Sequence, residues 1–292
     1  MRRIAFGVIR GLVQALSGWR LRRFSLVDRA YELGFTRLRP EIARAHGHRL
    51  RVDRRDQVVA RGLLLHGTWE PFLTEAFLRL LRPGMVVFCL GAHIGYFTLL
   101  AARAVGPAGR VYAFEPAPDS FRLLVQNVEL NGYHNVVAVP MAVSNRTGKA
   151  RLYLHPSNTG DHQLHAGDEP RPSLEVDAVR LDDWITDRER AADVIQMDLQ
   201  GSEMLAVEGM EDLLARSPRL QLFTELWPEG LRRSGRSAEA YLGRLSGLGF
   251  DMHVIDERLG RLVPFAGVAD LARYRNVFDV PNYGLSLLCR RG

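Results

Sequence analysis

The chain has 292 residues, 47% of them hydrophobic and 25% charged, which suffices for one large domain with a substantial core and excludes a disordered protein. Its two cysteines, Cys89 and Cys289, lie in apolar runs, which excludes a disulfide scaffold and predicts buried free thiols in a reducing cytoplasm. The net charge of +6 is uneven: residues 1–61 hold fifteen arginines against five acids, so the remainder carries −4 and lacks the basic groove expected of a nucleic-acid binder.

The opening Met1-Arg2-Arg3-Ile4-Ala5-Phe6-Gly7-Val8-Ile9-Arg10 imitates a signal peptide, but Arg10 interrupts the apolar run and no stretch approaches the ~20 apolar residues of a membrane span. Neither secretion nor a span is expected. Ile4, Val8, Leu12, Leu16 and Trp19 recur at helical spacing among arginines. Residues 1–52 therefore read as a basic amphipathic extension that docks on the main domain or on a second copy in a homodimer. Peripheral contact with an anionic membrane surface, and RNA, are the alternatives.

The main domain spans residues 53–292. A hairpin or strand pair is predicted over 53–65 and a helix over 70–81, stopped by Arg82-Pro83-Gly84. A strand at 86–90, a helix at 96–104, a strand at 111–114, a helix at 120–131 capped by Asp119, and a strand at 136–140 follow. Regular alternation lapses over about 144–180, where strands at 149–154 and 174–179 flank a polar loop, 155–172, that reads as a lid over the site. Alternation resumes with a strand at 194–198, a helix through 214, a strand at 220–225, a helix at 238–248, and closing strands at 250–255 and 285–289. This pattern predicts an α/β fold with a mainly parallel sheet, helices on both faces, and ligands at the carboxyl ends of the strands. Gly91, Glu115, Ala142, Asp198 and Glu225 fall at such ends and should share one rim.

The most informative segment is Val86-Val87-Phe88-Cys89-Leu90-Gly91-Ala92-His93-Ile94-Gly95-Tyr96, followed about twenty residues later by Phe114-Glu115-Pro116. A strand ending in a glycine turn, then a helix, then a second strand ending on a carboxylate makes a crevice for a nucleoside. NAD, FAD and S-adenosylmethionine all use such a crevice. The spacing Gly91-x-x-x-Gly95 places bulky Ala92, His93 and Ile94 where a pyrophosphate needs close backbone approach, whereas S-adenosylmethionine carries no phosphate and leaves Glu115 to accept hydrogen bonds from its ribose.

With Gly67-Thr68-Trp69-Glu70-Pro71, Asn127 and Asn131, Asn158-Thr159-Gly160-Asp161-His162, Leu181-Asp182 and Met197-Asp198-Leu199-Gln200-Gly201-Ser202-Glu203, the chain resembles the FkbM family of S-adenosylmethionine-dependent methyltransferases. The resemblance implies a class I methyltransferase (Rossmann-like) fold with a seven-stranded sheet, S-adenosylhomocysteine as cofactor product, and methylation of a hydroxyl on a small metabolite, sugar, glycan or natural-product scaffold. It implies cofactor contacts at Glu70, Cys89, Gly91, His93, Gly95, Tyr96, Glu115, Ala142 and Asp198. In one departure, Cys89 stands where the family has an aspartate that helps hold the methionine amino group, so Cys89→Asp is expected to tighten cofactor binding.

Asp198, beside the expected methyl position, is the first choice to orient or deprotonate the acceptor, with Glu225 and the loop imidazole of His162 as further catalytic candidates. Glu203 is expected to serve the start of the following helix. No metal site is expected: a divalent cation on Asp198 and Glu225 is the alternative, and the sequence offers no clear third ligand for it. Trp69 reads as an adenine or acceptor wall, or as a core aromatic. An RNA methyltransferase and a non-catalytic S-adenosylmethionine-binding protein are the competing functions.

Overall fold

The computed structural model describes residues 39–167, 170–186, 191–278 and 284–291; the apolar stripe from Ile4 to Trp19 lies outside them. Within the stretch read as an extension, residues 42–51 form an antiparallel hairpin of β1 (Ile42–Ala45) and β2 (His48–Arg51). Asn127 and Asn131 clamp this hairpin to the main domain: the Asn127 side chain accepts from the Arg51 N–H and donates to the Arg51 carbonyl, and Asn131 does the same at Arg49. The strand pair expected over 53–65 is instead a turn followed by α1 (Val59–His66). The Asp56 carboxylate accepts from the backbone N–H groups of Val58, Val59 and Ala60, satisfying donors that a helix start leaves open, and Ala60, Leu63 and Leu64 supply a buried helical stripe.

Helix α2 (Pro71–Leu80) opens on a proline, and the Glu257 carboxylate takes the N–H groups of Phe72 and Leu73. The chain then runs through β3 (Val86–Leu90), α3 (Tyr96–Val105), β4 (Arg110–Phe114), α4 (Pro118–Leu130) and β5 (Val136–Val139). Asp119 is not the cap of α4: Pro118 begins the helix one residue earlier, and the Asp119 carboxylate pairs with Arg55 and Arg122. Next comes a small sheet of order β6-β8-β7, made of β6 (Ala142–Val143), β7 (Gly148–Tyr153) and β8 (Ser173–Val179). After α5 (Leu181–Trp184) and β9 (Val194–Met197), the single helix expected through 214 is two, α6 (Glu203–Glu208) and α7 (Glu211–Ala215). They part at Gly209, where a Cβ would stand 2.0 Å from the Ser144 carbonyl oxygen.

The last part comprises β10 (Gln221–Leu226), α8 (Pro228–Arg233), α9 (Ala238–Gly247), β11 (Asp251–Asp256), β12 (Arg261–Phe265), a 3-10 stretch (Gly267–Tyr274), α10 (Arg275–Phe278) and β13 (Leu285–Arg290). The main sheet has the order β12-β11-β13-β10-β9-β3-β4-β5. Strands β5, β4, β3, β9 and β10 are mutually parallel, while β13 runs antiparallel to both β10 and β11. Among the described residues the sheet therefore has eight strands rather than seven, because β12 pairs with β11 as an additional edge hairpin.

Strand alternation sorts the core into two layers. Val87 and Cys89 of β3 and Val111 and Ala113 of β4 face the layer holding Leu63, Phe77, Leu99 and Leu124, from α1 to α4. Phe88, Leu90, Tyr112 and Phe114 face the layer holding Leu181, Val207, Leu213 and Tyr241. The strand order turns about β3, with β4 on one side and β9 on the other, and such a switch point opens a crevice at the carboxyl ends. Among the described residues no helix is long and apolar enough to cross a membrane.

Candidate active site

Both glycines of the turn after β3 adopt left-handed backbone, Gly91 at φ +78° and Gly95 at φ +91°. Packing within the protein explains each. A Cβ on Gly91 would lie 2.0 Å from the Asp198 carbonyl oxygen, so Gly91 lets the ends of β3 and β9 meet; a Cβ on Gly95 would lie 2.7 Å from the Leu124 side chain. Gly91 lines the crevice and Gly95 faces α4.

The crevice is a cleft of about 1100 Å³, its open mouth included, lined among others by Gly91, Ala92, His93, Tyr96, Glu115, Ala142, His162 and Asp198. Of the expected cofactor contacts, Gly91, His93, Tyr96, Glu115, Ala142 and Asp198 are thus brought together. Glu70 sits beside this group rather than on the cleft lining, and Cys89 is elsewhere: the pleat of β3 turns its thiol into the α3 layer, fully buried with Thr98 beside it. Burial pushes that thiol up to about 12, so it is neutral and apolar in character. Cys89 is therefore in no position to touch a ligand in the cleft.

Glu115 is held rigidly, its Oε2 accepting from the His93 N–H at 2.8 Å and its Oε1 from the Ala117 N–H at 2.8 Å. Burial pushes its carboxyl up to about 7 despite these two bonds. Each oxygen keeps a further lone pair, and Glu115 lines the cleft, so donor hydroxyls of a ligand there can meet that demand. His93 has left-handed backbone at φ +50°, which aims its N–H at Glu115, and its Nε2 lies 2.8 Å from Thr159 Oγ1. Burial lowers the His93 pKa, keeping the ring neutral. Tyr96 fastens the strip before α2, its hydroxyl lying 3.2 Å from Thr68 Oγ1, 3.1 Å from Thr74 Oγ1 and 3.3 Å from the Trp69 N–H. Trp69 lines the cleft.

At the rim, Asp198, Glu203 and Glu225 each offer a carboxylate oxygen, and these oxygens lie within 4.8 Å of one another. Glu203, assigned from sequence to its helix alone, does accept from the Leu199 N–H through Oε1, yet it also completes this triad. The loop after β9 curls tightly enough to bring Glu203 back beside Asp198, helped by left-handed Gln200 at φ +52°. Glu70 stands close by in a left-handed conformation, φ +42°, that is costly for a non-glycine residue. Burial and then the Asp198 charge push Glu70 up to about 8; burial pushes Glu203 up to about 7, and burial and then the charges of Asp198, Glu203 and Glu70 raise Glu225 well above the ordinary range. Burial also raises Asp198, whose Oδ1 accepts from Gln200 Nε2 at 2.7 Å.

The polar loop read as a lid is bonded within itself among its described residues. Tyr153 and Gln163 exchange backbone hydrogen bonds, and the Asp161 carboxylate, 6% exposed, accepts from the Arg171 guanidinium at 3.0 Å and from Gln163 Nε2. His162 lines the cleft, but its Nδ1 accepts from the His155 N–H at 3.0 Å, so the neutral ring presents an Nε2–H donor to its surroundings. Burial further lowers it to about 4. A general-base role for His162 does not fit this bonding. Sequence reasoning missed the apolar lining from Met141, Val143, Leu152 and Leu164, of which only the flanking position of Leu152 gave a signal.

The switch-point cleft, the parallel core order β5-β4-β3-β9-β10 and the reversed β13 between β10 and β11 define a class I methyltransferase. The sequence matches the Methyltransferase FkbM domain over residues 90–247, and the chain belongs to that family, a family of methyltransferases whose cofactor is S-adenosylmethionine. It is 31% identical over 185 residues to the 31-O-demethyl-FK506 methyltransferase FkbM of Streptomyces tacrolimicus, covering 52% of this chain and 70% of that protein. It is 26% identical over 142 residues to Methyltransferase 1 of Beauveria bassiana, covering 42% of this chain but only 57% of the Beauveria protein. Among solved structures, TYW2 of M. jannaschii in complex with AdoMet superposes with a TM-score of 0.43 at 14% identity, covering 86% of each chain.

Proposed function

We propose that the chain is an S-adenosylmethionine-dependent O-methyltransferase acting on a hydroxyl of a small metabolite, sugar or natural-product scaffold. The observation that carries this reading is a cleft at the carboxyl ends of the strands that presents Glu115 and Asp198 to the same space. Glu115 would accept the ribose hydroxyls, and Met141, Ala142, Val143 and Leu152 would offer the purine an apolar wall. The bound cofactor supplies an electrophilic methyl group. Asp198 would take the acceptor proton while Gln200 holds its second oxygen, and burial makes this carboxylate a stronger base than an exposed one. Holding the acceptor in line contributes ~7–11 kcal/mol, and a positioned base a further ~10²–10⁴-fold.

A hydroxyl acceptor is supported by the Streptomyces relative, whose name specifies an O-demethyl substrate. The net charge of −4 on residues 62–292 opposes a phosphate backbone, which favours a neutral small molecule or glycan over RNA. Methyl-labelled S-adenosylmethionine offered with a panel of hydroxylated natural products, sugars and RNA tests the reading. Label should enter a base-stable ether, and Asp198→Asn should slow transfer by roughly 10²-fold or more with cofactor affinity changed less than about twofold. Label on nitrogen or RNA, or undiminished transfer by Asp198→Asn, would overturn it.

A further inference from the structure

We propose that Asp198, Glu203 and Glu225 form a binding site for one divalent cation of the oxygen-seeking class, Mg²⁺, Mn²⁺ or Ca²⁺, at the acceptor end of the cleft. Their three carboxylate oxygens already lie within 4.8 Å of one another, the span that ligands on one such cation occupy at bond lengths of roughly 2.0–2.6 Å. Two of the three side chains also hold oxygens with nothing to bond to. Glu203 is fully buried and its Oε2 has no hydrogen-bond partner, although Oε1 is anchored by the Leu199 N–H; the Glu225 Oε2 is likewise buried without a partner. An unmet buried carboxylate oxygen is costly. A single cation contacts all three.

The surroundings fit this reading. The ionisable neighbours that act most strongly on Glu225 are all carboxyl groups, those of Asp198, Glu203, Glu70 and Asp161, so oxygen donors gather at this point. Gly284 makes room for the Glu225 carboxylate: a Cβ there would fall 2.6 Å from Oε1. Glu225 lies within β10, Asp198 follows directly on the parallel neighbour β9, and Glu203 starts α6, so the pairing of two adjacent strands sets two of the three positions and the tight turn into α6 brings in the third. Asp198 lines the cleft, which leaves the remaining coordination positions open to water or to oxygens of the acceptor. The site therefore favours acceptors with two neighbouring oxygens.

Manganese is the direct probe. Mn²⁺ titrated into the chelator-treated full chain at neutral pH, followed by the paramagnetic signal of free Mn²⁺, should show one site per chain that excess Mg²⁺ or Ca²⁺ displaces. Glu225→Gln should weaken it about tenfold or more, while Glu229→Gln, at an exposed ion pair, should leave it unchanged. If Glu225→Gln does not fold, Asp198→Asn serves, because its side chain lies at the cleft. Absence of a stoichiometric Mn²⁺ site, or a site that survives both substitutions, overturns the proposal. S-adenosylhomocysteine titrated into the same metal-free protein separates the outcomes. Retained cofactor binding without a Mn²⁺ site defeats the cation alone, and loss of cofactor binding in Glu225→Gln without a Mn²⁺ site assigns the acids to the cofactor's ammonium group.

Discussion

At Cys89 the pleat of β3 decides the chemistry. Position 89 shares a face with Val87 and packs among α3 side chains, whereas the ligand cleft begins two residues later at Gly91. An aspartate introduced there would be a buried carboxylate with Thr98 as its neighbour. Cys89→Asp is therefore expected to lower stability by about 3 kcal/mol or more without tightening cofactor binding. Chemical denaturation and calorimetry on the same sample check both halves, and tighter binding at unchanged stability would contradict the assignment. Glu115 is the opposite case: its direction was legible because an acid closing the second strand has one crevice to face. Glu115→Ala should weaken S-adenosylhomocysteine binding roughly 10- to 100-fold, since each charge-assisted bond to a hydroxyl is worth about 1.5–3 kcal/mol. The reason for Gly91 was not legible, because it is the Asp198 carbonyl, more than a hundred residues away in sequence, that excludes a side chain there. Glu203 was hidden for a related reason: its service to the helix is visible in sequence spacing, and its approach to Glu225 is not.

Among the elements, those with strong periodicity, β3, α3, β4, β9 and β10, were readable to within a residue or two, because each has one apolar pattern and a glycine, proline or acid at its end. The failures have physical causes. Helix α1 was mistaken for strands because its start depends on the Asp56 carboxylate, and β12 was missed because an edge strand buries too little for its pattern to stand out. The insertion was recognised with β7, β8 and the loop between them, but β6 was missed because two residues are too few to show a pattern. Its Asp161–Arg171 pair, with both side chains less than a tenth exposed, ties two parts of the loop together. Arg171→Met leaves the buried Asp161 charge without its arginine and should cost about 3–5 kcal/mol, concentrated in this loop. Hydrogen exchange should then accelerate over residues 153–165 while the main sheet stays protected. Uniform exchange across the chain would contradict that localisation.

Over the whole molecule, the parallel order about β3 gathers residues from both halves of the chain onto one rim, and that gathering concentrates acids. Glu115 and Glu203 are pushed up to about 7 and Glu70 to about 8, each from an ordinary 4.5. Each binds its proton more tightly folded than unfolded, so its contribution to stability is full below about pH 4.5 and is lost as pH rises through 7 to 8. The metal-free and cofactor-free protein should accordingly show a falling thermal midpoint from pH 5 to pH 8, and Glu70→Gln should flatten the slope. A midpoint that rises across this range would contradict the burial of these acids. The central claim, that one cleft holds an adenosyl cofactor by its ribose on the acid after β4 with its reactive end toward the acid after β9, is tested most directly by a crystal structure of the protein with S-adenosylhomocysteine. The ribose hydroxyls should lie within hydrogen-bonding distance of Glu115 with the sulfur turned toward Asp198, and a cofactor bound away from these two carboxylates would contradict the account.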